Sequence, residues 1–81
     1  MRRIYIRLMD EGTEVFRPTD AEVLGGDRFK VLPTHDYDPE DEQWEFVPGT
    51  VVSGVHKNFE GEDVLIAVTM SYDGRKDNLT L

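Results

Sequence analysis

The sequence predicts an all-β fold in the form of one small barrel or sandwich. Several short segments alternate apolar and polar residues with the period of two that is typical of half-buried strands. Turns containing glycine or proline separate these segments at intervals of about ten residues, as in small all-β domains. A chain of 81 residues, 38% of them hydrophobic, is sufficient for one compact core and too short for a second.

Two extended segments are predicted near the N-terminus. In residues 3–9 (RIYIRLM) every second residue is apolar, which predicts a strand with one buried face. The residues on that face are Ile4, Ile6 and Leu8. A second extended piece, residues 13–18, ends at Pro18, which cannot donate to a β-ladder and therefore predicts a sheet edge or a bend.

A hairpin and a loop follow. Residues 20–24 (DAEVL) and 28–32 (RFKVL) alternate on either side of a glycine-rich connection, which predicts a β-hairpin. Residues 34–43 contain Pro39 and no apolar periodicity, so we expect a loop there. This loop has room for one helical turn, with Asp38 as its cap.

The strongest strand predictions lie in the second half of the chain. Residues 50–57 (TVVSGVHK) and 63–70 (DVLIAVTM) are rich in β-branched side chains. Gly54 predicts a bulge or a sharp bend, as barrel corners require. Residues 71–81 are polar and are expected to form a frayed tail or one last short strand, so the domain itself is expected to span residues 1–70.

The order of these segments favours an SH3-like barrel of five to six short antiparallel strands. A long connection follows the first strand, a hairpin comes next, and a pair of strands ends the domain. An OB-fold would also use five strands. It commonly places a helix between its third and fourth strands, and residues 38–43 are too few for more than one turn.

Composition argues against several classes of function. The chain has no cysteine, so disulfides, thiolate zinc sites and cysteine nucleophiles are absent. Nine basic and 17 acidic residues give a formal charge of −8, which disfavours nucleic acid and anionic membranes as partners because phosphates would be repelled. No apolar stretch approaches the roughly 20 residues that span a bilayer, and the N-terminus has the pattern of a strand rather than of a signal peptide. We therefore expect a cytoplasmic protein.

Several short motifs follow one another in a recognisable order. They are Asp-Glu-Gly-Thr at 10–13, an aromatic residue with Arg-Pro at 16–18, Glu42 in the acidic loop, Trp-Glu-Phe at 44–46, and Pro-Gly at 48–49. This order resembles that of a group of small bacterial proteins, in which tryptophan is common where this chain has Phe16. The resemblance covers roughly residues 4–68. It implies a family and assigns no activity.

Six acidic residues between positions 36 and 45 raise the question of metal binding. The first three alternate like the ligands of a calcium loop. An EF-hand requires glycine at its sixth position and an acid at its twelfth, where this chain has Asp41 and Val47. His35 and His56 alone are weak candidates for zinc ligands. We expect no metal site and no cofactor; a weak divalent-ion site is the remaining alternative.

The sequence contains no motif that indicates catalysis. Ser53 and Ser71 lack the G-x-S-x-G setting of a nucleophile, and there is no glycine-rich phosphate loop. An acid–base pair needs two carboxylates in different environments, whereas the acids of one solvated loop are expected to share a single environment. We therefore expect that the protein is not an enzyme.

Aromatic and acidic residues supply the candidates for a binding surface. Beside the connection after its first strand, an SH3-like barrel forms a groove in which aromatics accept extended peptides and acids select basic residues. The partner-binding candidates are Tyr5, Phe16, Arg17, Tyr37, Asp38, Glu40, Asp41, Glu42 and Trp44. Trp44 is expected either to anchor a partner or to plug the core. Arg17 is expected to pair with Glu11 or Glu14.

These observations favour a non-enzymatic protein-interaction module that docks a basic or extended protein partner through its acidic loop and nearby aromatics. The alternative is an acidic inhibitor or immunity-type protein that binds a basic toxin or nuclease. A small enzyme or a metal-binding protein is a more distant alternative. For the acidic stretch itself, the sequence favours a solvated loop with Trp44 anchoring its end, and a docking edge for a basic partner is the second interpretation. We expect no nucleic-acid or membrane partner, and a monomer or weak homodimer.

Overall fold

The structure, a computed structural model, describes residues 1–70; the predicted tail or last strand at 71–81 lies outside the described residues. The described part contains six strands and no helix, and therefore none that could cross a membrane. The strands are β1 (Arg2–Met9), β2 (Phe16–Gly25), β3 (Arg28–Val31), β4 (Gln43–Trp44), β5 (Val51–Phe59) and β6 (Glu62–Val68). The predicted all-β class is confirmed.

Five of these strands close into a barrel in the order β1-β2-β3-β5-β6, and β6 returns to β1. Consecutive strands are antiparallel, but the closing pair, which meets at Tyr5 and Ile66, is parallel. This follows from the odd number of strands, because the first and fifth strands of an alternating series run in the same direction. The fold is a small SH3-like barrel, and its closing pair departs from the expected all-antiparallel pairing.

The two extended pieces predicted on either side of Thr19 form a single strand, β2, that passes through Pro18. Leu8 donates a backbone hydrogen bond to Val15 at 2.8 Å, and hydrogen-bonded positions alternate from there. The nitrogen of Pro18 therefore faces away from β1. Pairing of β2 with β3 begins only at Ala21, so Pro18 deprives no neighbouring strand of a hydrogen bond.

The barrel interior is filled by the alternating apolar residues of its strands. Ile4, Ile6, Val31 and Val52 are fully buried, which confirms the inward faces predicted for the first strand and the hairpin's second arm. The other core residues are Leu8, Ala21, Phe29, Trp44, Leu65 and Ala67. Val23, expected on the same face as Ala21, is 53% exposed; it lies beside the register shift at the end of the hairpin.

Gly54 is explained by close packing. The register between β5 and β6 is regular through the pair Gly54–Ala67, so the expected bulge is absent from this ladder. A Cβ atom at Gly54 would lie 2.7 Å from the Phe29 ring and 3.0 Å from a methyl of Leu65. Glycine at this position therefore allows the backbone of β5 to pack closely against Phe29 and Leu65.

We predict that Gly54→Ala destabilises the domain by about 1–3 kcal/mol, because the new methyl group overpacks the core against Phe29. Gly12→Ala is the matched control, since no atom lies within 4 Å of a Cβ placed there. The control should change stability by less than about 1 kcal/mol. Denaturant unfolding of both variants measures this, and equal effects would show that the contact with Phe29 is unimportant.

Candidate partner-binding site

The short strand β4 brings two acidic loops together at one end of the barrel. It pairs antiparallel with the end of β1, with Leu8 opposite Trp44 and Met9 opposite Gln43. The loop that leaves β1 at residue 10 therefore starts beside the loop that enters β4 at residue 42. We call their exposed carboxylates the acidic end. Its members are Asp10, Glu11, Glu14, Asp36, Asp38, Glu40 and Asp41.

Four members of the acidic end were not among the candidate residues. Asp36 lies in the loop already expected to be acidic, whereas Asp10, Glu11 and Glu14 lie in the loop after β1. Their charges are plain in the sequence, but their position beside the second loop depends on the pairing of β4 with β1. A strand of two residues shows no hydrophobic periodicity, so the sequence carries no signal for that pairing. The acidic surface is consequently wider than the single loop expected from the sequence.

Glu42 differs from the other acids of its loop because it is paired and only partly exposed. The Arg17 Nε atom donates to Glu42 Oε1 at 3.0 Å, and Arg17 Nη2 donates to Glu42 Oε2. The indole Nε1 of Trp44 also donates to Glu42 Oε1, at 3.1 Å. The expected pairing of Arg17 with Glu11 or Glu14 is wrong, and the expectation of one shared environment for all the loop acids fails at Glu42.

These contacts shift the protonation of both partners. The hydrogen bonds from Arg17 lower the pKa of Glu42, partial burial opposes that shift, and the hydrogen bond from Trp44 adds to it. The pKa of Arg17 is raised, first by its hydrogen bond to Glu42 and further by the negative charges of Asp36 and Asp41. Arg17 is thus paired with Glu42 and is also attracted by the exposed carboxylates of Asp36 and Asp41.

Trp44 is a core residue, with 5% of its surface exposed. The ring of Tyr37 packs edge-on against it, with ring centroids 4.7 Å apart and an interplanar angle of 69°. Tyr37 and Phe46 are partly buried against the core cluster. Of the two roles expected for Trp44, the geometry matches the core plug. Its indole nitrogen donates a hydrogen bond from the core to Glu42 in the acidic loop.

The backbone between β3 and β4 is held in a compact turn by Asp38. The Glu40 amide donates to Asp38 Oδ1 at 2.9 Å, and the amides of Asp41 and Glu42 donate to the Asp38 carbonyl oxygen at 3.0 and 3.1 Å. Asp38 thus acts as the expected cap, although the turn does not extend into a helix. The exposed carboxylates at 38, 40 and 41 are carried on one ordered turn.

Tyr5 and Phe16 lie apart from the other candidates, on the outer surface of the barrel. The inward positions of β1 are even-numbered, so Tyr5 faces outward, as does Phe16, which pairs with the outward Arg7. The Phe16 and Phe59 rings lie 5.7 Å apart. Phe16 also lines a groove of about 330 Å³ on this outer surface. Its lining includes Phe16, Val55, Ile66, Glu14, Glu45 and Lys57.

The groove and the acidic end share Glu14, so the two surfaces are contiguous. Val64 and Ile66 are buried although they alternate with the core residues Leu65 and Ala67, which indicates a second apolar cluster outside the barrel. The nine predicted binding residues therefore fall into two sets. One set of seven comprises the Arg17–Glu42 ion pair and its neighbours. The other comprises Phe16, which lines the groove, and Tyr5, which pairs with the lining residue Ile66.

The exposed surfaces of residues 1–70 offer negative charge at the acidic end and apolar contact in the groove. Within residues 1–70, no group of three or more histidine or acidic side chains is arranged to hold a metal ion. His56 lies 3.1 Å from Asp63 in an exposed pair. The surface chemistry suits electrostatic attraction at the acidic end and apolar contact in the neighbouring groove.

Comparison with protein-family models, curated proteins and solved structures gave no significant match. The resemblance to small bacterial proteins stays a prediction.

We predict that the Arg17–Glu42 contact makes stability depend on acid pH. Because the folded state lowers the pKa of Glu42, its contribution is complete above the ordinary value of 4.5 and is lost as pH falls through the lowered value. At neutral pH, Glu42→Gln should be less stable than the unmodified chain by about 1–2 kcal/mol, and this gap should narrow below pH 4.5.

Denaturant unfolding at a series of pH values tests this prediction. Glu40→Gln is the control, because it removes an exposed carboxylate of the same turn that makes no ion pair within residues 1–70. Its neutral-pH stability should stay within about 0.5 kcal/mol of the unmodified chain. A gap for Glu42→Gln that stays constant from neutral to acid pH would contradict the role of the charged carboxylate.

Proposed function

We propose that this chain is a non-enzymatic protein-interaction module that binds a basic, extended segment of a partner protein at its acidic end. The observation that carries the proposal is the pairing of β4 with the end of β1, which places two acidic loops side by side. Seven exposed carboxylates are concentrated there. Such a surface attracts cationic side chains and repels phosphates.

The charge of the acidic end is not neutralised from within the loops. Arg17 lies among these acids, but its guanidinium is already engaged by Glu42. Because the ion pair is neutral as a whole, it leaves the net charge of the seven exposed carboxylates unchanged. A partner that supplies lysine or arginine would gain these interactions without first breaking an internal one.

The loop that enters β4 is ordered before binding, which favours a docking role over passive solvation. Glu42 is tied to Arg17 and Trp44, and the turn at Asp38 holds the intervening residues through three hydrogen bonds. A preformed surface loses less conformational entropy when a partner binds. The concentration of charge at one end also fits local docking better than an imitation of a long phosphate array.

The proposal is tested on a partner captured from the native cell with the full chain and identified by mass spectrometry. Glu40→Gln/Asp41→Asn removes two negative charges from the acidic end, and Asp20→Asn/Glu22→Gln makes the same change in net charge on β2. The first double variant should slow association by about three- to tenfold at low salt, and the second should have little effect. The difference should shrink as salt shortens the Debye length to about 8 Å at physiological ionic strength.

Equal behaviour of the two double variants would contradict the proposal, because it would show that only net charge matters. Circular dichroism on both variants checks that the fold is unchanged. If the captured partner is a basic toxin or nuclease whose activity the chain suppresses, the module acts as an inhibitor through the same surface. A captured partner with no inhibited activity favours an adaptor role.

A further inference from the structure

The strand β5 has one open edge. It pairs with β3 only from Val51 to Ser53, and the Gly54 amide makes a last contact with the Asp27 carbonyl oxygen at 3.0 Å. From Val55 to Phe59 it continues beside β6, which covers one side. Within residues 1–70, no strand pairs with the other side of this segment.

The backbone groups at this edge are available to a second chain. Since Gly54 directs its amide toward β3, alternation directs the backbone groups of His56 and Asn58 to the same side, where β3 has ended. Every residue from Val55 to Phe59 is exposed. An unpaired row of N–H and C=O groups is the surface on which an extended peptide adds as a new strand.

The side chains along the edge include two exposed apolar residues for contact with a partner and one lysine that discourages aggregation through the edge. Val55 is 46% exposed and Phe59 is 37% exposed, and both lie on the outer face. Lys57 lies between them, and a lysine on an edge strand discourages indiscriminate pairing between sheets. The edge therefore suits a partner strand with apolar side chains at alternate positions.

The edge leads toward the acidic end. The contact between the Phe59 and Phe16 rings places the far end of β5 beside the start of β2, immediately after the loop that carries Glu11 and Glu14. A strand added along β5 would thus run from the β2–β3 turn toward these carboxylates. Basic side chains at that end of the added strand would meet the acidic end.

We infer that the open edge of β5 binds the basic, extended segment of the partner by strand addition. The inference rests on the proposed function and gives its binding mode. Extended conformation follows from the backbone groups at His56 and Asn58, and basic character follows from the neighbouring acids. A second copy of this chain is a poorer occupant, because each copy carries a formal charge of −8 and two copies repel one another.

The first test uses a short synthetic peptide of alternating lysine and valine. Titrated into the full chain, it should slow hydrogen exchange at the His56 and Asn58 amides by about tenfold or more at saturation, because these groups gain hydrogen bonds. The same peptide with N-methyl groups on one edge should bind about tenfold more weakly. A peptide of alternating glutamate and valine should not bind.

Variants separate this inference from the proposed function. His56→Pro removes one outward N–H and should weaken peptide binding by about three- to tenfold relative to His56→Ala, which loses the same contact with Asp63. Glu40→Gln/Asp41→Asn should weaken binding yet leave protection at His56 and Asn58 intact at saturation. If His56→Pro fails to fold, the N-methylated peptide still shows whether binding depends on backbone hydrogen bonds along the edge.

Three results would overturn the inference. Peptide binding without protection at the two amides, or equal binding of the N-methylated peptide, would show that the segment docks by side chains alone; the proposed function would stand if the Glu40/Asp41 variant still binds more weakly. Protection that rises with protein concentration in the absence of peptide would assign the edge to a second copy.

A different result would overturn the proposed function and leave the strand addition standing. It is binding of the lysine–valine peptide with the same affinity to the unmodified chain and to Glu40→Gln/Asp41→Asn.

Discussion

The Glu42 carboxylate accepts hydrogen bonds from Arg17 and from Trp44, and these contacts hold the end of the acidic loop that enters β4. Arg17 belongs to β2, Trp44 to β4, and Glu42 to the loop between β3 and β4. One side chain thus connects three parts of the chain at the end of the barrel. In a domain this small, where net stability is a few kcal/mol, a contact that positions a two-residue strand has a large structural consequence.

The same contact explains how an acidic surface is maintained next to a hydrophobic core. The indole of Trp44 fills the core, and its nitrogen supplies a hydrogen bond where the core meets the loop. Arg17 balances Glu42, which is partly buried, and the other acids of the loop are exposed. The proposed binding of a basic segment depends on this division, since carboxylates satisfied internally would attract no partner.

Much of the barrel could be predicted from local sequence, whereas the binding surface could not. Alternation in residues 3–9 identified β1, because burial of one strand face leaves a pattern of period two. The run of β-branched and apolar residues at 63–70 identified β6, which is buried on both faces. The Arg17–Glu42 pair joins residues 25 apart, and local periodicity contains no information about such a contact. The open edge of β5 likewise depends on where β3 ends in space. The sequence indicated that Gly54 has a structural role, but the reason for a glycine there is the nearby Phe29 ring, which lies far away in sequence.

A double-mutant cycle at Arg17 and Glu42 tests most directly whether the ion pair between these two side chains stabilises the fold. The free energy of unfolding is measured for Arg17→Met, Glu42→Gln and the combined variant, and the coupling energy is compared with that of Arg3 and Asp20, an exposed pair 3.9 Å apart. We expect about 1–2 kcal/mol of coupling at Arg17–Glu42 and less than about 0.5 kcal/mol at the exposed pair. Coupling at Arg17–Glu42 no larger than at Arg3–Asp20 would contradict the account.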